Sequence, residues 1–263
     1  MKASSAIGLV VAIVGLYLGA TMEGSNPMAI LSPSAMLIVL GGTLGAVIVG
    51  TSFDAITNIP KMYMMAFNPN VIDLNAKVSE LVGYAESARR DGLLALDEVT
   101  STIEDPFTKN GLELVVDGTD PDLVADILES ENDAMRTRHA AGVQPFDKAG
   151  GYAPTMGIIG TVFGLIHVLG NLDKPATLGP SISAAFVATL LGVASANVVY
   201  LPISARLKQL SADELHARAL IVEGILSIQA GDNPRVVQEK LITFVSPAQR
   251  LDPEAAAAAA TAA

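Results

Sequence analysis

The stretch from Tyr152 to Pro202 constrains this chain most. It reads YAPTMGIIGTVFGLIHVLG, then the turn NLDKPATLGP, then SISAAFVATLLGVASANVVYLP. Each half is a run of roughly 20 mostly apolar residues, the length that crosses a bilayer as a helix. The turn is short and holds Asn171, Asp173, Lys174 and Pro175. The expected structure is a helical hairpin in a membrane. Each helix has a smooth face. On the first, Gly157, Thr161 and Gly164 recur at i, i+4 and i+7; on the second, Ala185, Thr189, Gly192 and Ala196 continue that pattern to i+11. Small residues at this spacing let another helix approach closely, because lipid gives helices no hydrophobic incentive to associate and packing must supply it. Each face presents one threonine hydroxyl. That hydroxyl either bonds the carbonyl four residues back or, taken with its counterpart, lines a shared and partly polar groove.

Composition agrees with a membrane protein. The chain has 263 residues, 51% hydrophobic, 5% aromatic and no tryptophan, with a mean hydropathy of +0.46. That is too apolar for a soluble domain, and the apolar residues are clustered. With no cysteine there is no disulfide or thiolate metal site, and the 3 histidines are scattered. A net charge of −11 argues against nucleic acid, whose phosphates need a basic surface. Most of the acidic residues lie between the apolar runs, so they describe a soluble face.

Two more apolar runs precede the hairpin: Ala6 to Met22, with Gly15 and Gly19 at GxxxG spacing, and Ser34 to Gly50, with Gly41 and Gly45 likewise. A signal peptide fits the first run poorly, because Thr21-Met22-Glu23 is a weak cleavage site and a second apolar run follows at once. The loop from Glu23 to Pro33 holds no Lys or Arg. Lys61, Lys77, Arg89 and Arg90 lie between the second and third runs, and Arg206 and Lys208 follow the fourth. The positive-inside bias therefore puts the long loop and both termini in the cytoplasm.

The expected fold is an all-α integral membrane protein. Residues 1–51 would form transmembrane helices 1 and 2, residues 52–151 a cytoplasmic helical domain, and residues 152–202 helices 3 and 4. Residues 203–250 would be cytoplasmic C-terminal helices and 251–263 a disordered alanine-rich tail. Within the cytoplasmic domain, Leu74, Val78, Leu81, Val82 and Ala85 line one helix face that ends near Gly92. Asp105-Pro106 and Asp120-Pro121 read as caps of two further helices, the first closed by Gly118 and the second running toward Gly142; Asn233-Pro234 caps a helix in the tail.

No P-loop, HExxH, GxSxG or dinucleotide fingerprint is present, so an enzyme is not expected. The apolar runs are nearly free of ionisable groups; His167 sits near the end of one, and no carboxylate lies at mid-span. Ion pathways through a bilayer normally need such a group. If this chain passes ions, a partner helix must bring the titrating group, and the smooth faces are where it would dock.

These residues resemble a known family. YAPTMGIIGTVFGLIHVL, DKPATLGP and ATLLGVASANVVYLPI are similar to the last two spans of the flagellar stator A subunits, the MotA/PomA family, while ARRDGLLALDE and QAGDNPRVV are similar to that family's cytoplasmic segments. The resemblance runs from the first GxxxG run to about Val245. Two N-terminal spans favour the stator over the related ExbB/TolQ energisers of envelope transport, which have one; a non-conducting membrane scaffold is the remaining alternative.

The resemblance implies a ring of five A chains around a dimer of B chains in the bacterial inner membrane, among membrane lipid. Each B chain supplies a helix with an aspartate and a domain that grips peptidoglycan. It implies no cofactor. It assigns helix-bending prolines to Pro154 and Pro202, and contact with the rotor's switch protein to Arg89, the adjacent Arg90, Asp97 and Glu98. The Asp97 position is more often glutamate. The Thr189 position is commonly threonine whatever the ion, whereas the Thr161 position is threonine in sodium-driven members and usually alanine in proton-driven ones. Thr161 and Thr189 are therefore expected to line the ion pathway and to ligate Na+ transiently, with H+ as the alternative. The sodium-driven PomA branch carries a threonine pair where this chain departs from it with Ala188-Thr189.

Overall fold

The structure, a computed structural model, describes residues 4–24, 32–69 and 72–250, and every regular element among them is helical. The expectation for the alanine-rich tail, 251–263, lies outside the described residues. The chain divides into two compact units, residues 1–70 with 138–210 and residues 71–137 with 211–263.

The first unit begins with α1 (Ser4–Met22) and α2 (Pro33–Gly50), followed by the short α3 (Phe53–Thr57) and α4 (Ile59–Phe67). Its remainder comes from two long helices that also run into the second unit, α8 (Pro121–Leu169) and α9 (Pro175–Gln229). α2, α8 and α9 are each long and apolar enough to cross a membrane, and the apolar part of α1, Ala6–Met22, is shorter. The buried clusters of this unit are small. Phe146, Val143, Ile203, Leu207 and Ala66 form one, with Tyr63 edge-on to Phe146 at 5.2 Å between ring centroids. Ala35, Val39 and Ala188 form another. Large apolar side chains such as Val49 and Phe186 stand exposed, at 90% and 61%. Such surface suits lipid or a partner helix rather than water.

The second unit has a conventional core. α5 (Leu74–Asp91) buries Val78, Leu81 and Ala85, the stripe read from the sequence, with Leu74 and Val82 partly covered beside them. A 3-10 turn (Leu93–Ala95) leads to α6 (Leu96–Thr100), then come α7 (Pro106–Val116) and, after α9, α10 (Pro234–Leu241). Phe107, Leu112, Leu128, Leu220, Ile225 and Leu241 are fully buried together; each contributes about 1.5–3 kcal/mol by leaving water. The caps form as their residue types dictate. The Asp105 carboxylate accepts from Phe107 N, Asp120 from Asp122 N, and the Asn233 side chain from Arg235 N. Gly118, at φ 74°, takes the left-handed conformation that ends α7.

Two sequence expectations are corrected, and one feature of the helices had no sequence counterpart. The helix capped by Asp120 does not stop near Gly142 but continues to Leu169. Val143, Phe146 and Ala149 bury one face of that stretch, and this outweighs the backbone bond that Pro145 removes. The hairpin turn is shorter than NLDKPATLGP suggests, because Pro175 is already helical and Pro180 lies inside the helix. Finally, α2 and α9 are not uniform: Leu37–Gly41 and Ser195–Tyr200 are π-helical, a wider winding that occurs often at functional sites.

Candidate functional site

α8 and α9 touch through their smallest residues. A Cβ on Gly157 would lie 2.8 Å from the carbonyl oxygen of Ala188, and one on Gly164 would lie 2.5 Å from Ala185 Cβ. At Gly192 an added Cβ would overlap the carbonyl of Ala153. Ala185 and Ala196 are fully buried. The two smooth faces are thus turned toward one another. The groove that the two faces were expected to share is a direct backbone contact here, and a partner helix would meet the pair at its rim. The GxxxG glycines of α1 and α2, Gly15, Gly19, Gly41 and Gly45, have open space where a Cβ would go, so their smooth sides remain available to other chains.

The two threonines meet at this contact. Thr161 Oγ1 reaches Gly157 O at 3.1 Å and Ala185 O at 3.0 Å, and it is hydrogen-bonded to Thr189 Oγ1. Thr189 Oγ1 is 3.4 Å from Gly157 O. Four neutral oxygens, two hydroxyl and two carbonyl, therefore share a half-buried site. Only Thr161 makes the bond to its own i−4 carbonyl; Thr189 instead reaches across to the other helix. Oxygens of this kind suit a hard cation, but as they stand the hydroxyls are engaged with each other.

Pro154 and Pro202, the prolines assigned a helix-bending role, both lie within continuous helices. Pro154 has no N–H for the carbonyl of Gly150, four residues back. Gly150 itself packs on Leu201, and a Cβ there would lie 2.4 Å from a Leu201 methyl, so that leucine would have to move. Pro202 lies two residues beyond the π-helical segment.

One polar cluster was not foreseen. Asp147 Oδ1 on α8 accepts from Ser204 Oγ at 2.5 Å and from Lys208 Nζ at 2.9 Å, and its Oδ2 lies 2.7 Å from the same ammonium. Burial alone would raise this carboxyl, but the hydrogen bonds from Lys208 and Ser204 and the ammonium charge outweigh it and hold Asp147 below its ordinary value. The available signal was spacing: Asp147 precedes Pro154 by seven residues and so shares its helix face. Nearby, Lys148 Nζ donates to the carbonyl of Gly50.

The charged residues of the second unit fall around one bend. Arg89 and Arg90 are exposed in the last turn of α5, and Asp97 and Glu98 are exposed in the first turn of α6. Gly92, at φ 88°, makes the bend between them. Arg90 pairs with Asp91 at 2.9 Å. Between the two charge pairs Leu94 is 76% exposed, which the sequence reading passed over.

Comparison with known proteins places this arrangement. Residues 99–219 match the MotA/TolQ/ExbB proton channel family, and residues 6–86 match the motility protein A N-terminal family. Motility protein A of Bacillus subtilis is 38% identical over 95% of this chain and 93% of its own length.

The chain belongs to the motility protein A family.

It is also 32% identical to the chemotaxis protein PomA of Vibrio alginolyticus, over 95% of this chain and 98% of that one. The fold agrees. A chain of the flagellar MotAB stator complex from Bacillus subtilis superposes with a TM-score of 0.88 at 38% identity, covering 94% of this chain and 98% of that chain. As a member of that family this chain is a membrane-embedded stator subunit and not an enzyme. The absence of any catalytic fingerprint is the sequence counterpart of that conclusion.

Proposed function

We propose that this stator subunit spans the bacterial inner membrane four times, with α1 as the first span and both termini cytoplasmic. It would act as the A subunit of a sodium-driven flagellar motor. In this reading residues 52–151 and 203–250 are cytoplasmic and residues 152–202 form the ion-pathway hairpin. The Lys and Arg distribution supports the orientation. The span count rests on the apolar stretch Ala6–Met22, which at about 17 residues is at the lower limit for crossing a bilayer.

The spans of this chain hold no carboxylate at mid-depth, so the titrating group must come from a partner. A B subunit with an aspartate-bearing helix supplies it, two B chains sitting within a ring of five A chains. One charge moving through 100 mV yields about 2.3 kcal/mol, so the ring advances in small ion-coupled steps. Arg89, Arg90, Asp97 and Glu98 deliver that motion to the rotor's switch protein.

The observation that carries the sodium reading is the meeting of Thr161, Thr189, Gly157 O and Ala185 O at one point. A proton needs one acceptor. Sodium must exchange its water for several hard oxygens, and hydroxyls and carbonyls are the ligands this contact can add to a partner's aspartate. The experiment is swimming speed, at fixed pH, of a deletion strain carrying this chain with its B subunit. Speed should rise with external sodium, and Thr161→Ala should blunt that rise. Equal speed in sodium-free potassium buffer would show a proton-driven motor in which Thr161 serves packing alone.

A further inference from the structure

Arg206 is a cation that neither the ion pathway nor the rotor contact uses. Its guanidinium Nε is buried and has no hydrogen-bond partner among the described residues. Two other cations of this unit are engaged elsewhere, Lys208 by Asp147 and Lys148 by the Gly50 carbonyl. A desolvated guanidinium N–H without an acceptor is costly, so an anionic acceptor beside it is strongly favoured.

Arg206 lines a cavity of about 320 Å³ between α1, α4 and α9. Apart from Asn197 the other walls are apolar, among them Leu9, Ala12, Phe67 and Pro202. The elements around it face an apolar medium: α1 exposes Val10 and Val11, and α4 exposes Met64 at 73%. An apolar slot closed by one unpaired guanidinium matches an anionic amphiphile. The guanidinium fork would bind phosphate oxygens, and the slot would take the start of an acyl chain. A zwitterionic lipid places a cationic amine beside its phosphate and would gain less from Arg206. Basic pockets between membrane helices are known to hold anionic headgroups.

We infer that this cavity is a binding site for one anionic phospholipid, its phosphate on Arg206 and its first acyl methylenes between Leu9, Ala12 and Phe67. The inference rests on the proposed reading that α1 and α9 stand in a bilayer. Its test uses lipid binding to purified protein, so a negative result leaves the motility test of the stator reading intact.

The full chain, delipidated in mild detergent, is mixed with phosphatidylglycerol or phosphatidylcholine, and bound lipid is counted by native mass spectrometry. Phosphatidylglycerol should be retained at one site per chain, roughly tenfold more tightly than phosphatidylcholine, the scale of one charge-assisted hydrogen bond. Arg206→Gln should erase that preference and Arg206→Lys should restore part of it. Ala12→Trp, which fills the slot and leaves the guanidinium in place, should expel the lipid; it carries the test if Arg206→Gln does not fold. Unchanged retention in Arg206→Gln and Ala12→Trp overturns the inference. Displacement of lipid by millimolar inorganic phosphate as readily as by phosphatidylglycerol overturns it in favour of a free anion. Retention only after the oligomer is dissociated overturns it in favour of a second copy of the chain as the occupant.

Discussion

Thr161 and Thr189 are hydrogen-bonded to each other across the contact of two helices, and the carbonyl of Gly157 lies within reach of both hydroxyls. Their effects on stability should therefore be coupled. Replacing either by Val keeps the shape and removes the hydroxyl. In a double-mutant cycle by thermal unfolding in detergent, Thr161→Val and Thr189→Val should show an interaction of roughly 0.5–1.5 kcal/mol, the range for hydrogen bonds between membrane helices. Strictly additive losses would mean that the hydroxyls act separately.

Gly192 offers a steric test of the same contact. Any Cβ there runs into the backbone carbonyl of Ala153, which cannot turn aside as a side chain would. Gly192→Val should destabilise the protein by about 1–3 kcal/mol or more through overpacking, read as a lowered Tm and loss of the assembled complex on size exclusion. Gly83→Ala, on the open face of α5, is the control. It should raise stability by up to about 1 kcal/mol, because alanine is the better helix former.

The lowered carboxyl of Asp147 sets the sign of a pH effect. Its folded-state value lies below the ordinary 3.8, so its contribution is fully present above that value and is lost as pH falls through the lower folded one. Unfolding midpoints should therefore drop as pH is lowered below about 4, and the drop should be shallower in Asp147→Asn. Lys208→Met should remove most of the same component, since it takes away the ammonium and leaves only the Ser204 hydroxyl to lower the carboxyl.

At the bend around Gly92, exposure separates function from stability. Arg89→Glu and Leu94→Ser change surface residues, so the Tm should move by less than about 0.5 kcal/mol equivalent. Torque on tethered cells should nevertheless fall in both. A compensating charge reversal on the rotor protein should partly rescue Arg89→Glu and do nothing for Leu94→Ser, because an apolar contact has no sign to reverse.

Much of this structure was legible because its signals are local. The stripe Val78, Leu81 and Ala85 and the caps Asp105, Asp120 and Asn233 each depend on residues within a turn or two, and those are read from the sequence directly. The helix break expected near Gly142 failed because packing decided it: Gly142 sits against Met62, and Phe146 buries beyond it. The smooth faces were visible, but not that they pair with each other, since a small-residue stripe does not name its neighbour. The spacing of Asp147 to Pro154 hinted at its helix face, but not at its partners Ser204 and Lys208, which lie 57 and 61 residues away along the chain. The open N–H of Arg206 is a fact about burial, and no spacing rule announces it.

The π-helical segment Ser195–Tyr200 makes chain length a structural variable in its own right. It accommodates one residue beyond the α-helical count, so the helix downstream of it is turned by about 100° relative to an uninterrupted one. Deleting a single residue there would restore ordinary winding and swing Ile203 and Leu207 away from Ala66 and Phe146, and Ser204 away from Asp147. Point substitutions leave that phase untouched. Insertions and deletions reset it, so the register in which Ile203, Ser204 and Leu207 meet their neighbours is held by the number of residues in this segment rather than by their identity.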